Sequence, residues 1–368
     1  MTASAVQSRI SIGSFDRDRA GIAASPYRFL GTFRFLLALL VLTSHAAGFL
    51  SDELTPLGLG NIGVLLFFVV SGFVICEAFD LFYRASSTRF LVNRCLKIFP
   101  AYWATLPLAY AVIALAAPET LRTDSFALFV NATLLMAYLP GAGSVLVVSI
   151  AWAVVIEFQF YIIAAAVSFA GRVIRQRAVV TAGAATTALA LYLFVWWTGS
   201  QARFFGLFQF APFFVLGSLA YFLVIRRDFR ALPLLLIAAI LSVHAYYVYN
   251  ARGDIAPGLW LGANGARWNV IGSTSLFIAL CSLFLYLASG CFRKSLERID
   301  KRLGDVTYAL YLAHTPLILL AHHFDLAGGT GFAFVLVASL LAAVLIQRAV
   351  ERPVWKIRDL LRGRRLYD

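Results

Sequence analysis

Of 368 residues, 61% are hydrophobic and 13% are charged, against about 45–50% and 25% in soluble domains, which excludes a soluble globular enzyme and points to a polytopic membrane protein. The net charge of +13 is not the mark of a nucleic-acid binder, because the basic residues sit in short segments between apolar runs, as an orientation signal does. The four cysteines (Cys76, Cys95, Cys281 and Cys291) lack metal-ligand spacing, and Cys95 falls in a basic segment expected to face the cytoplasm, where thiols stay reduced; neither a disulfide nor a metal site is expected.

In chain order, residues 1–26 form a polar segment with Arg9, Arg17 and Arg19. No short apolar stretch with a small-residue cleavage site follows, so no cleaved signal peptide is expected. Apolar runs of the length a helix needs to cross hydrocarbon then recur at 29–50, 61–79, 99–117, 146–170, 178–197, 204–225, 231–249, 268–288, 305–321 and 331–348. One further apolar segment, 126–139, is only 14 residues long and reads as re-entrant or interfacial. Charge decides that count. Were 126–139 to span, the three arginines of 171–177 would fall outside. With ten crossings and both termini cytoplasmic, Arg122, Arg203, Arg252 and Arg267 are outside, Arg34 is in the membrane, and the remaining Lys and Arg are inside, as the positive-inside rule requires. The expected fold is therefore an all-α transmembrane bundle of about ten spans over 27–349, followed by a basic tail, 350–368, along the anionic inner leaflet.

Ionisable residues within the spans are the candidates for chemistry, since an arginine at bilayer depth costs roughly 2.5–3.5 kcal/mol on insertion scales and so faces a bundle interior or a wet cavity. Arg34 and His45 are 11 residues apart, on nearly the same helix face and about 16 Å apart along the axis. His45 reads as a general base near neutral pH, or else as a structural histidine bonded to another helix. Glu157 falls at a similar depth and needs a partner or a proton. His45 or Arg34 can supply that partner, and a structural ion pair is the plainer reading. His314 is again mid-span, with Tyr308, Tyr311 and Pro316 nearby. Arg94 and Lys97, three apart at the inner mouth of a span, can clamp phosphates or simply supply positive-inside charge. Ser71–Gly72 suits close helix packing. His322 and His323 fall at the outer end of a span and His244 near the end of another, with weaker signals.

Six segments resemble, in order, motifs of the acyltransferase-3 family of membrane O-acyltransferases. Arg34 and His45 stand as in its R-x10-H first helix. Ile62–Ile75 (IGVLLFFVVSGFVI) resembles GVxLFFVLSGFLI, and Asn93–Trp103 (NRCLKIFPAYW) resembles RRxxRIxPxYW. Ala151–Tyr161 is similar to WSLxxExxFY, Thr307–Leu317 to SYxxYLxHxPL, and Val350–Lys356 to the closing xEKPxxx. The resemblance implies transfer of an acyl group, usually acetyl, from a cytoplasmic acyl-coenzyme A, as co-substrate rather than resident cofactor, to a hydroxyl of a cell-surface glycan or lipid-linked glycan precursor. It places the protein in a bacterial inner membrane. It makes His45 and Arg34, with Glu157, the catalytic candidates. Arg94, Lys97, Ser71 and Tyr102 fall on the donor side, and His314, Tyr311 and Trp152 support them. Two positions depart from the pattern: Lys97 stands for the second arginine of the R-x-x-R pair, and Ala153 for the serine after Trp152. The SGNH-type domain that many relatives carry is not expected. A proton-coupled transporter or lipid flippase is the rival class, since it too uses intramembrane charges; the repeated halves common in transporters are not detectable here.

Overall fold

A computed structural model describes residues 29–50, 58–134, 145–198, 206–252, 264–290 and 296–362, and every regular element in them is helical. The long helices are α1 (Leu30–His45), α2 (Leu59–Leu81), α3 (Ser87–Ala116), then, after the short α4 (Ser125–Thr133), α5 (Ala151–Val173), α6 (Arg177–Trp197), α7 (Leu207–Val224), α8 (Leu232–Arg252), α9 (Asn264–Ser289), α10 (Glu297–His323) and α11 (Gly328–Ile346). A π turn, Gln347–Glu351, joins α11 to α12 (Arg352–Arg362). Among the described residues nine helices are long and apolar enough to cross a membrane. The tenth, α1, has 16 residues, about 24 Å at 1.5 Å per residue, and a 3-10 turn, Ala47–Phe49, follows it. Each expected span is thus occupied by one helix, and the chain is a multi-pass integral membrane protein.

Two helices begin well before the sequence reading places them. Helix α3 begins at Ser87 rather than near 99, because Ser86 accepts the Arg89 N–H at 3.2 Å and caps it there. Arg94 and Lys97 are therefore helical, and the 30 residues measure about 45 Å, well beyond a hydrocarbon core of about 30 Å. Helix α10 likewise starts eight residues early, with Glu297 and Asp300 in its first turn.

The segment read as re-entrant or interfacial holds only the nine-residue α4, about 14 Å long and too short to cross. Asp124 caps it by accepting the Ala127 N–H at 3.0 Å, a bond that holds the Asp124 carboxyl below its usual range. Leu134 ends it in the left-handed region at φ 57°. Buried Asn131 ties α4 to the approach of α5, donating to the Val145 carbonyl at 2.7 Å and accepting from the Val147 N–H at 2.8 Å. Residues 135–144 and 1–26, which complete two of the sequence-defined segments, lie outside the described residues.

Helices α2 and α7 form the centre of the bundle; two-thirds of the apolar window of each is buried. They run parallel in close contact because Gly72 and Gly217 face each other's partner backbone. A Cβ on Gly72 would strike the Phe214 carbonyl, and one on Gly217 the Val69 carbonyl. With lipid tails as apolar as leucine, such backbone proximity is what holds membrane helices together. Phe68 stacks on Phe214 at 4.7 Å between ring centroids, filling the space beside that crossing. The 350–368 tail is not a separate appendage as far as it is described: α12 packs against α3, with Asn93 donating to the Arg358 carbonyl at 3.0 Å.

Candidate functional site

Helices α1 and α10 run parallel in constant register. At one end, Asp300 on α10 accepts the Gly31 N–H at 3.1 Å and the Thr32 N–H at 2.5 Å. These are free amides of the first turn of α1, and Asp300 caps them from another helix. The approach needs glycine on both sides: a Cβ on Gly304 would lie 2.9 Å from the Gly31 Cα. Fourteen residues further along both helices, about 21 Å away, His45 Nδ1 meets His314 Nε2 at 2.9 Å. The sequence separation is 269 at Gly31–Asp300 and at His45–His314, so the cap at one end sets the histidine contact at the other.

That contact has a direction. His314 is fully buried, and its Nδ1 faces the Leu310 carbonyl at 3.4 Å. A carbonyl only accepts, so His314 carries its proton on Nδ1 and presents a bare Nε2. His45 therefore donates from Nδ1, and its own Nε2 is left as an acceptor. His45 is exposed, and its Nε2 side faces the start of α2. There Gly60 leaves room: a Cβ on it would sit 3.0 Å from Ser44 Oγ and 4.0 Å from His45 Nε2. Tyr311 holds the rear wall, donating to the Ile150 carbonyl at 2.9 Å, with its ring edge-on to His314 at 5.9 Å. The arrangement is a buried histidine orienting an accessible one, which is what a general base requires.

The second cluster lies on α2, α3 and α5. Glu157 accepts from Ser71 and, at 2.6 Å, from Tyr161 through the same oxygen, Oε1. Among the described residues no ion pair joins Glu157 to His45 or Arg34, so the expectation that one of them partners it is corrected: two hydroxyls satisfy the carboxyl, and His314 is the partner of His45. Ser71, expected on the donor side, points at Glu157 instead. Arg94 lies over the rings of Phe90 (5.2 Å) and Tyr161 (5.4 Å), and its buried Nε has no hydrogen-bond partner. Arg34, one turn into α1, is within electrostatic reach of Tyr161, Lys97 and Asp305.

Lys97 does not stand free as a phosphate clamp would. It pairs with Glu351 at 3.2 Å, with side chains 18% and 3% exposed, and lies 5.6 Å from the centre of the Tyr308 ring. Tyr102 is wholly buried with its hydroxyl unpartnered. Trp152 sits among Phe68 and Phe210 and packs the core. Of the weaker candidates, His322 stacks on Phe49 at 4.5 Å and His244 meets the Tyr192 hydroxyl at 2.6 Å; both are contacts between elements. Sequence reasoning missed Tyr161, whose signal was its position four residues after Glu157 on one helix face. It also missed Asp300 and the pairing of Glu351, whose partners lie more than 250 residues away.

Comparison with known proteins agrees with this architecture. A family profile described as an acyltransferase domain matches residues 27–348. A Komagataeibacter xylinus protein provisionally named a membrane-bound transacylase, BcsY, is 24% identical over 309 residues, covering 78% of this chain and 76% of its own length. No solved structure matches.

Proposed function

Since this chain belongs to the acyltransferase-3 family, we propose that this membrane acyltransferase takes its acyl group, acetyl by the family pattern, from a cytoplasmic acyl-coenzyme A and delivers it to a hydroxyl of a cell-surface glycan or lipid-linked glycan precursor, in a bacterial inner membrane. The observation that carries the reading is the Leu310–His314–His45 chain, which leaves one accessible imidazole nitrogen unprotonated.

His45 Nε2 takes the proton of the acceptor hydroxyl as its oxygen attacks the thioester carbonyl. The tetrahedral intermediate then expels the coenzyme A thiolate, which recovers the proton from the His45 imidazolium. The acyl ester and free thiol result, and both histidines return to their starting forms. The positive charge formed transiently on His45 is shared through its Nδ1–H bond to His314, and a positioned base of this kind is worth typically 10²–10⁴ in rate. Arg94, with a buried unpartnered donor, and Arg34 are the cations free to meet the donor phosphates. The distance of about 16 Å between the levels of Arg34 and His45 is what the pantetheine arm has to cover. Lys97 contributes by holding Glu351 rather than by direct contact.

The test is a deletion strain complemented with wild type or His45→Ala, with mass analysis of its surface glycans, alongside purified protein given labelled acetyl-coenzyme A. Loss of one acyl mass in the deletion, restored by wild type and not by His45→Ala, is the expected result. Undiminished transfer by His45→Ala would overturn the assignment.

A further inference from the structure

A second cavity lies well away from the histidines. It occupies about 870 Å³ between α2, α5, α6 and α7, toward the upper end of the roughly 300–1,000 Å³ typical of ligand sites. Asp80 and Arg84 line it at one end of α2, whereas Gly60, beside His45, is at the other, about 30 Å along the helix. It is therefore not the space in which His45 works.

Its shape follows from the composition of α6. The residues that helix turns toward the cavity include Ala178, Thr181, Ala184, Ala185 and Ala188, a run at helical spacing where bulky side chains would otherwise fill the groove. From Arg177 to Leu191 the slot extends about 21 Å along α6. It opens sideways between Ile163 and Leu191, which line it and are themselves exposed. Deeper in, Phe214 and Val215 of α7 make the floor.

The mouth is cationic. Arg84, Arg177, Arg226, Arg227 and Arg230 surround it with only Asp80 and Asp228. Asp80 accepts from the Tyr221 hydroxyl at 2.8 Å and lies 3.7 Å from Arg226, and Asp228 is held by Arg230 at 2.9 Å. Arg84, Arg177 and Arg227 have no carboxylate partner among the described residues. Arg177 donates to the Arg84 carbonyl at 3.1 Å, which fixes the rim without neutralising it. An apolar slot open to the side and closed at one end by unbalanced arginines matches one kind of molecule: a chain with an anionic head.

We propose that this cavity binds an anionic phospholipid, its phosphate on Arg84 and Arg227 and one acyl chain along α6 in the slot. Basic pockets between transmembrane helices take lipid phosphates in this way. The site is separate from acyl transfer, and the proposal does not depend on that activity.

The test uses full-length protein in nanodiscs containing phosphatidylglycerol with a photoreactive diazirine in its acyl chain. Cross-links are expected on the α6 and α7 peptides that hold Ala188 and Phe214. Arg84→Gln with Arg227→Gln is expected to cost about tenfold or more in affinity. Ala188→Trp, which fills the slot, should abolish the cross-link, and Ala188→Leu, a milder filling, should weaken it while the protein remains monodisperse. Labelling that survives slot filling would mean ordinary surface lipid and overturn the proposal. So would equal labelling by a phosphatidylcholine probe, or displacement by acetyl-coenzyme A rather than by unlabelled phosphatidylglycerol.

Discussion

At the residue scale, two pairs divide the work. In the His45–His314 pair the roles are unequal, because only His45 is accessible and only His314 is held by a carbonyl. His314→Ala is therefore expected to lower the rate of labelled acetyl transfer by one to two orders of magnitude, within the range of a positioned base. His314→Gln, whose amide oxygen can still accept from His45 Nδ1, is expected to recover part of it. Equal rates for Ala and Gln would show that His314 only fills space. The Lys97–Glu351 pair makes the opposite prediction. Lys97→Met strands a buried carboxylate and should cost about 3 kcal/mol or more, read as a lowered melting temperature in detergent. Lys97→Met with Glu351→Met should return most of that stability. If Lys97 were instead a donor clamp, the single variant would raise the KM for acyl-coenzyme A with no loss of stability. That His314 is buried in the bundle was legible in sequence, since a polar group in hydrocarbon has nowhere else to go. Which polar side chains touch was not, because the pairing of Glu157 with Ser71 and of His45 with His314 depends on how helices distant in sequence rotate against one another.

At the element scale, the register of α1 on α10 matters most. Asp300 caps α1 from outside it, and replacing a capping aspartate by alanine typically costs 0.5–2 kcal/mol. Asp300→Ala is expected to reduce both melting temperature and transfer rate, because slack at Gly31 moves His45 relative to His314. Asp300→Asn, which keeps an acceptor oxygen, should hold most of both. A variant that melts early yet transfers at the wild-type rate would separate the cap from the histidine geometry. The α2–α7 crossing is less forgiving: Gly72→Leu places a side chain where the Phe214 backbone stands, and loss of monodisperse protein in fluorescence-detected size exclusion is the expected outcome. Helix positions were legible from the apolar runs. The early start of α3 was not, since the capping Ser86 and the charged turns beyond the hydrocarbon carry no hydropathy signal.

At the scale of the whole molecule, the bundle has two unlike ends. Arg84, Arg172 and Arg177 meet at one, where Arg172 and Arg177 donate to the Arg84 carbonyl, and His45 with Phe49 and His322 stands at the other. Under the proposed orientation the histidine end faces outward. On a cysteine-free background, Gly48→Cys, at an exposed glycine with open space around it, should react with a membrane-impermeant maleimide in intact cells. Arg89→Cys, exposed at the arginine end, should react only after lysis. The reverse pattern would invert the topology and with it the side from which the donor approaches.

Hydropathy and charge by themselves determined that the chain is a multi-span helical bundle and that His314 is buried in it. Both follow from the cost of placing polar groups in hydrocarbon, a property each segment has alone. Tertiary structure alone decided that Asp300 sets the register of α1, that His314 orients His45, that Glu351 holds Lys97, and that the small residues of α6 leave a slot beneath a ring of arginines. Each of these depends on how separate helices pack against one another, so it exists only once the backbones have packed.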